Sequence, residues 1–412
     1  MPNQLCCCLG ALLLSGCSLS HWGLAPQPPA LTNREPSSSL QVLNEAEPAS
    51  EDRLLHGLQR ALFEHLNGHF AASNLLLHGI TPQLSELKAT SITETLGAGA
   101  LNETLRAYLP TPSEQALLHQ LAMLNYLLLG EPARARVEAL QADLLFRRLA
   151  SAGGLNGQLA STRFVAGLVF EILGEWDNAL IAYRDASELL EARDETPPAG
   201  LTLSLERMRQ QLGLTSPAPS SPAQPAGQEL VVLLWQGQIS PRVPQQLRLY
   251  NPALRQHLAF ALPIYAASYP PPREEPITLG DGLWHAMPLE NLEQRVREDL
   301  ARQRPALIAA ATSRAFAKFH ISREAGATDE ILGVLVDLAL TLGEVADLRS
   351  WSSLPSHILL ARIPLPAAPV NLEVEIGGRS TAAPRHRIGL LLLHTASGRL
   401  FRYPAIKEPA DA

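Results

Sequence analysis

Apolar residues return every three or four positions through the first half of the chain, which is the spacing of helices that bury one face. Helices are predicted at 53–66, 116–129, 133–149, 162–173 and 177–190. Offsets of three and four place such residues on a single side of a helix. The first half is therefore expected to form an all-α domain whose helices pack against one another.

The second half carries shorter apolar runs bounded by glycine and proline, as β-strands do. Strands are predicted at 229–235, 259–264, 277–279, 358–363, 372–376, 388–393 and 400–403, and helices near 289–302, 305–320 and 328–343. Residues 390–393 are four successive leucines, so this strand should be covered on both faces. The whole chain is expected to be α+β, with a mainly antiparallel sheet in its C-terminal domain.

One pair of predicted helices resembles a tetratricopeptide repeat. Small residues let the two helices approach closely, and aromatic residues fill the remaining space. The matching positions are Ala166, Gly167, Phe170, Gly174, Trp176, Ala179, Tyr183 and Ala186. A weaker copy includes Tyr126, Gly130 and Ala135, and a third trace centres on Gly68 and Phe70.

The spacing of these copies departs from a regular repeat. The turn glycines Gly68, Gly130 and Gly174 are separated by 62 and 44 residues, whereas the repeat has a period of about 34. Extra helices must lie between the copies. The pattern favours antiparallel helix pairs over a regular superhelix, and a plain helical bundle with glycine in its turns remains the alternative.

The amino terminus carries the pattern of a lipoprotein signal. An apolar run from Leu9 to Leu14 leads into Ser15, Gly16 and Cys17. The run is too short to span a bilayer but has the length of a signal core. We expect cleavage between Gly16 and Cys17, with 1–16 as the signal peptide and lipid on the Cys17 sulfur. The alternative is a short apolar core segment, and residues 1–8 lack the usual Lys or Arg.

Lipidation of Cys17 predicts a location in the cell envelope. Several acyl chains on one residue give stable attachment to a membrane. Ser18 stands where Asp retains such proteins at the inner membrane, so the periplasmic face of the outer membrane is expected. The remaining cysteines, Cys6, Cys7 and Cys8, would leave with the signal, so the mature chain would hold no disulfide and no free thiol.

Two stretches rich in Pro and Ser divide the chain, because such composition buries little apolar area. The first gives a tether at 17–50 that carries the lipidated cysteine, and the second gives a linker at 215–227. The remaining divisions are a helical domain at 51–214, an α+β domain at 228–406 and a tail at 407–412.

Charge and motifs give little sign of chemistry. A net charge of −7 argues against a nucleic-acid partner, which normally requires a basic surface. His65 and His69 have the i,i+4 spacing of a helical zinc site, but Leu66 replaces the expected Glu, so a solvated helix end is expected. Nucleophile-elbow and phosphate-loop patterns are missing from the sequence. No catalytic residue, metal or cofactor is therefore predicted, and a small-molecule ligand stays open.

Beyond these patterns, the chain resembles a family of uncharacterised bacterial lipoproteins with tetratricopeptide-like helices. The resemblance rests in the first domain on short pieces, namely Glu114 with 117–119, 124–126, Gly130, 135–138, 166–168 and 173–179. In the second it rests on residues 361–366 and on Asp347, Arg349, Trp351, Leu354 and Pro355. It implies an envelope lipoprotein without an established activity. Some members are encoded near proteins linked to activation of peptidoglycan synthesis.

The residues of the second domain that carry this resemblance have two possible interpretations, one structural and one as a ligand-binding site. Asp347 and Arg349 can pair across a turn, with Trp351 and Leu354 holding that turn to the core and Pro355 ending it. The function favoured by the whole sequence is a non-enzymatic, membrane-anchored scaffold that binds a protein partner in the envelope. The alternatives are an enzyme acting on wall or glycan substrates, or a ligand sensor, with a site between the two domains.

Overall fold

The computed structural model describes residues 35–94, 106–151, 154–214, 228–251, 256–266, 269–325, 346–365, 372–384 and 386–404. The signal segment 1–16, Cys17, the linker 215–227, the tail 407–412 and the helix predicted near 328–343 lie outside the described residues. The described parts contain helices in the first half and a mostly antiparallel sheet in the second, so the predicted α+β class is confirmed at this level.

The described part of the first half consists of helices. They are α1 (Pro36–Glu45), α2 (Arg53–Leu66), α3 (Phe70–Glu94), α4 (Pro112–Leu128), α5 (Pro132–Ser151), α6 (Ala160–Leu173), α7 (Trp176–Glu191) and α8 (Ala199–Gln211). A short 3-10 turn at Ser50–Asp52 precedes α2. The pairs α2–α3, α4–α5 and α6–α7 form helical hairpins, since turns this short force neighbouring helices to reverse direction.

A glycine in the left-handed conformation ends the first helix of each hairpin. The φ angles are +83° at Gly68, +75° at Gly130 and +79° at Gly174. Glycine adopts this conformation without steric cost, and it lets the next amide hydrogen-bond back to the preceding helix. Glu131 N, for example, donates to Tyr126 O over 2.8 Å. The three turn glycines of the sequence pattern therefore lie at three equivalent positions of the fold.

The prediction of a tether at 17–50 is wrong for the residues that form α1. Residues Pro36–Glu45 form α1, with Leu40 and Leu43 buried against the body. Pro36 occupies the first helical turn, where its missing N–H costs nothing. The Pro and Ser content of this stretch suggested a tether, but the two leucines at i and i+3 give the helix an apolar face.

The second half is built on an eight-stranded sheet with the order β10-β9-β1-β6-β5-β4-β7-β8. Its strands are β1 (Glu229–Gln236), β4 (Glu275–Leu279), β5 (Gly282–Asn291), β6 (His357–Pro364), β7 (Glu373–Ile376), β8 (Arg379–Ala382), β9 (Ile388–His394) and β10 (Arg399–Tyr403). Only the β1–β9 pair among these neighbours is parallel. A separate hairpin pairs β2 (Arg242–Asn251) with β3 (Gln256–Tyr265).

One long helix, α9 (Leu292–Ala325), follows β5. The sequence predicted two helices here, near 289–302 and 305–320, because Pro305 removes one backbone hydrogen bond and usually ends or kinks a helix. That division is wrong, since Pro305 lies inside a continuous helix. Leu262 of β3 packs on Ala311 of α9, so the helix also contacts the separate β2–β3 hairpin.

The helices and the sheet share a hydrophobic core. Val231, Leu233 and Trp235 of β1 face the helices, whereas the alternating Leu230 and Val232 enter a second core on the other face of the sheet. Strand β9 divides in the same way, with Leu390 and Leu392 in the first core and Leu391 and Leu393 in the second. The prediction that both faces of β9 are covered is confirmed.

Candidate functional site

Buried carboxylates lie where the helices of the first half meet the second half. Asp299 of α9 accepts a hydrogen bond from Ser113 N at the start of α4 over 3.0 Å. Glu290, at the end of β5, accepts one from Ala160 N at the start of α6 over 2.6 Å. The first amides of a helix lack partners and carry partial positive charge, which favours a carboxylate there. Two acids of the sheet half thus cap two helices of the other half.

Both acids have raised pKa values, because burial disfavours their ionised form. Burial raises the pKa of Asp299 to about 6, against the opposing hydrogen bond from Ser113. Burial also raises the pKa of Glu290, although Arg295 and Arg193 oppose this shift. Arg295 Nε lies 3.0 Å from Glu290 Oε1 and is itself buried.

Asp299 should make stability depend on pH. Its folded pKa of about 6 exceeds the unfolded value of about 3.9, so the fold loses stability as pH rises through that window. Asp299→Asn keeps an oxygen for Ser113 N but cannot ionise. Above pH 6 we expect this variant to exceed the wild type in free energy of unfolding by up to about 3 kcal/mol, at about 1.4 kcal/mol per pKa unit.

Urea denaturation between about pH 4 and pH 7.5 measures this difference, which should vanish at the acid end because Asp299 is then protonated. Asp143→Asn on α5, whose ion pair with Arg147 is exposed, is the matched control and should change stability by less than about 0.5 kcal/mol. A difference between Asp299→Asn and wild type that stayed constant over the range would contradict the raised pKa.

A second buried cluster joins α6 to β6. Glu171 and Arg362 are both buried and pair over 2.6 Å, and Tyr183 donates its hydroxyl hydrogen to Glu171 over 2.7 Å. Burial alone would raise the pKa of Glu171, but the charge and hydrogen bonds of Arg362, the charge of Arg207 and the hydrogen bond from Tyr183 together outweigh it, and the pKa is lowered. Arg207 of α8 and Glu229 of β1 extend the pairing. Charged groups from four elements are thereby held together inside the protein.

The segment before β6 is placed by a third acid, Glu114. Its Oε2 accepts hydrogen bonds from Thr111 N and the Tyr108 hydroxyl, each over 2.7 Å, which completes a capping box on α4. Its Oε1 accepts a hydrogen bond from Trp351 N over 2.8 Å. Trp351 and Leu354 are buried in the shared core, and Pro355 is buried beside them.

The pair Asp347 and Arg349 lies at the outer end of this segment. Arg349 Nε donates to Asp347 Oδ1 over 2.8 Å, and Arg349 Nη1 donates to Asp52 over 2.8 Å at the start of α2. Burial opposes the charge of Arg349, but the hydrogen bonds that it donates to Asp347 and Asp52, with the charges of these acids, raise its pKa. These contacts favour the structural interpretation of the segment, which fastens the helices to the sheet.

The residues of the strongest repeat-like pattern meet in the α6–α7 hairpin. Gly167 of α6 faces the ring of Tyr183 on α7, and a Cβ at Gly167 would lie 2.5 Å from a ring carbon. Ala166, Phe170, Ala179 and Ala186 are buried, and Trp176 packs on the same core. In the weaker copy, Tyr126 and Ala135 are buried on either side of the Gly130 turn.

His65 does not lie at a solvated helix end, and that prediction is wrong. The side chain is fully buried, with Nδ1 2.6 Å from Asn125 Oδ1 and Nε2 3.0 Å from His394 Nε2 on β9. Gly68 does end the helix, but Phe70 and Phe401 cover the histidine from outside. His69 is exposed and pairs with Glu64, as expected of a helix end.

Hydrogen bonding fixes the proton positions of this histidine pair. The Asn125 amide nitrogen donates to Ser73 and Asn74, so its oxygen must accept from His65 Nδ1–H. His65 Nε2 then accepts from His394 Nε2–H. Burial lowers the pKa of His65 to about 4, and burial with the neighbouring His65 lowers the pKa of His394 well below its usual range, so the pair is neutral. A cavity of about 20 Å³ beside His394 has room for about one water.

Comparisons with known proteins place the chain in no family. Neither a protein-family model nor a curated protein matches it. A solved structure that matches is the crystal structure of BtubC (BKLC) from P. vanneervenii, at 15% identity and a TM-score of 0.27. The match covers 46% of this chain and 76% of BtubC.

Two further properties concern ligands and membranes. Within the described ranges, no group of three or more His, Cys, Asp or Glu side chains is arranged to hold a metal ion. No helix of that part of the chain is both long and apolar enough to cross a bilayer.

Sequence reasoning missed the acids and arginines of the junction, namely Glu290, Asp299, Glu171 and Arg362. Their contacts across the junction join residues more than 100 positions apart, as in the 191-residue separation of Glu171 and Arg362. One local signal was available, because Thr111 and Glu114 have the spacing of a capping box before an apolar helix.

Proposed function

We propose that this protein is a membrane-anchored, non-enzymatic scaffold that binds a protein partner in the cell envelope. The anchor is the acylated Cys17, on the periplasmic face of the outer membrane. The partner belongs to envelope assembly or peptidoglycan synthesis, as the family resemblance suggests. The helical hairpins supply the binding surface, in the manner of tetratricopeptide-like arrays.

The observation that carries this proposal is an apolar stripe on α5. Val137, Leu140 and Leu144 are 53%, 40% and 50% exposed. Their spacing of three and four places them on one side of the helix, opposite Ala135, Ala139 and Ala142, which face the core. Exposed large apolar side chains that adjoin one another mark sites of protein contact.

The stripe suits an amphipathic helix of the partner. Such a helix places its own apolar residues at i, i+3, i+4 and i+7 against an apolar helical face. Arg134 and Arg147 lie exposed near the two ends of the stripe, where they pair with Glu131 and Asp143, so the stripe has a charged rim. A polar rim of this kind surrounds most apolar contact patches.

An enzyme with a cleft between the helices and the sheet has less support. The junction that such a cleft would occupy is filled by the shared core and by buried polar contacts, including Trp351 and the Glu171–Arg362 pair. The described acids and arginines there bond to helix ends and to one another. Their observed contacts are those of a structural joint.

In-cell photo-crosslinking tests the scaffold proposal. A photoreactive residue at Leu140 should yield a discrete crosslinked species, and Val137→Ser with Leu144→Ser should reduce its yield by roughly tenfold or more, since each exchange removes apolar contact. The matched control places the photoreactive residue at Leu203 of α8, which is similarly exposed. Failure to recover a species from Leu140, or equal recovery from Leu203, would contradict the proposal.

A further inference from the structure

The two edges of the eight-stranded sheet face each other across an open groove. Strands β8 and β10 are the edge strands, and residues of both line a groove of about 800 Å³. The edges come together at one end, where a Cβ at Gly398 of the β9–β10 turn would lie 2.5 Å from Arg379 Nη2. Away from this point the sheet is unclosed.

The backbone of β8 presents unpaired hydrogen-bonding groups to this groove. Gly377 and Gly378 form a two-residue turn with φ of +56° and +70°, so Ile376 and Arg379 are the hydrogen-bonded pair that closes the hairpin. Such pairs alternate along an antiparallel ladder. The N–H and C=O groups of Ser380 and Ala382 therefore point away from β7. The hydrogen bond from Ala383 N to Leu372 O, 2.8 Å long, fits this alternation, because Ala383 lies two residues beyond Thr381 and four beyond Arg379.

A single added strand can run antiparallel to both edges. Following the pairings across the sheet, β8 and β10 each run antiparallel to β1, so they run in the same direction. One extended segment in the groove would therefore meet both edges in the same orientation. Addition of a strand to an exposed edge is a common mode of peptide recognition.

The charge of the groove selects an acidic segment. Arg379, Arg399 and Arg402 line it. Arg399 Nη2 lies 3.2 Å from Glu35, an exposed carboxylate, whereas Arg379 and Arg402 form no ion pair with any described residue. Arginine binds carboxylates through its fixed fork of donors.

We infer that the groove between β8 and β10 binds an extended, carboxylate-bearing segment of the protein partner as an added strand. The inference rests on the proposed partner binding and names a second surface that is separate from α5. The partner's backbone pairs with the outward groups of Ser380 and Ala382, and its acidic side chains meet Arg379 and Arg402.

Fluorescence anisotropy on the full chain in detergent micelles tests this inference with labelled octapeptides. An alternating Glu-Thr peptide should bind saturably. An alternating Gln-Thr peptide should bind about tenfold or more weakly because it lacks charge. An alternating Glu-Pro peptide should also bind about tenfold or more weakly, because the segment bonds to β8 and β10 through alternate residues and its prolines donate no hydrogen bond to one of these edges.

Variants of the groove separate backbone pairing from charge. Ser380→Pro removes an N–H that faces the groove and leaves the β7 ladder intact, so it should weaken Glu-Thr binding about tenfold or more, whereas Ser380→Ala should not. Arg379→Gln with Arg402→Gln should weaken it about tenfold. Arg184→Gln with Arg209→Gln, on α7 and α8, makes the same charge change elsewhere and should leave binding unchanged.

Three outcomes would overturn the inference. The first is equal binding of the Glu-Thr and Glu-Pro peptides. The second is binding of phosphatidylglycerol vesicles, but not of the peptides, through Arg379 and Arg402. The third is peptide binding that emerges only when Glu408→Gln and Asp411→Asn neutralise the tail, which would assign the groove to the chain's own terminus. The α5 crosslink does not depend on the groove, so its result distinguishes failure here from failure of the scaffold proposal.

Discussion

Replacing Arg362 by Met is expected to lower the free energy of unfolding by about 3–5 kcal/mol, the cost of leaving one member of a buried ion pair without its partner. Glu171 has no exposed surface and pairs with Arg362 over 2.6 Å. Arg207, 3.0 Å from Glu171, remains and keeps the loss within this range. Urea denaturation at pH 7.5 measures the change.

A second substitution shows whether the lost charge partner is the cause. Adding Glu171→Gln to Arg362→Met removes the unpaired carboxylate and keeps an oxygen for the Tyr183 hydroxyl, so it should recover about half of the loss or more. Arg184→Met, which removes an exposed pair with Glu188, is the control and should cost less than about 0.5 kcal/mol. A double variant as unstable as the single one would contradict this explanation.

Trp351→Ala is expected to cost about 3–5 kcal/mol, because it empties a large, fully buried site. The side chain belongs to the core shared by helices and sheet, so the loss should weaken both halves together. Trp351→Phe should cost less, about 1–2 kcal/mol, since the indole N–H has no hydrogen-bond partner to lose. Thermal and urea unfolding measure both variants.

The unfolding transition itself provides a further check on Trp351. Circular dichroism, which follows the helices, and fluorescence, which follows the tryptophans, should give coincident transitions for wild type and variants. Leu283→Ala on β5 changes an exposed side chain and should shift stability by less than about 0.5 kcal/mol. Separate transitions for the two probes would show that helices and sheet do not unfold as one unit.

The elements that could be predicted are those with a buried face. Periodic apolar residues located α2, α4, α5, α6 and α7, and bounded apolar runs located β1, β6 and β9. Strand β2 was missed because most of its described residues are exposed and its apolar residues do not alternate regularly with polar ones. Strand β5 was missed because Pro288 and a bulge interrupt its alternation, and α3 because Pro82 lies within it.

The contacts of the junction could be predicted only where they are local. The Asp347–Arg349 pair spans two residues and follows from a turn, and the Thr111–Glu114 cap spans three. Asp299 reaches Ser113 across 186 residues, and its role depends on how α9 packs against α4. A sequence pattern does not show such packing, so an acidic residue inside a predicted helix is expected to be exposed to solvent.

The mass of the mature amino-terminal peptide, measured on protein purified from membranes, decides whether the chain is the anchored scaffold proposed above. We expect a peptide that begins at Cys17 and carries a diacylglyceryl group on sulfur and an acyl group on its amino nitrogen. Cys17→Ala should abolish both the modification and the association with membranes, since a single residue holds all the acyl chains. A wild-type chain recovered from the cytosol with Met1 still attached and an unmodified Cys17 would contradict the proposal.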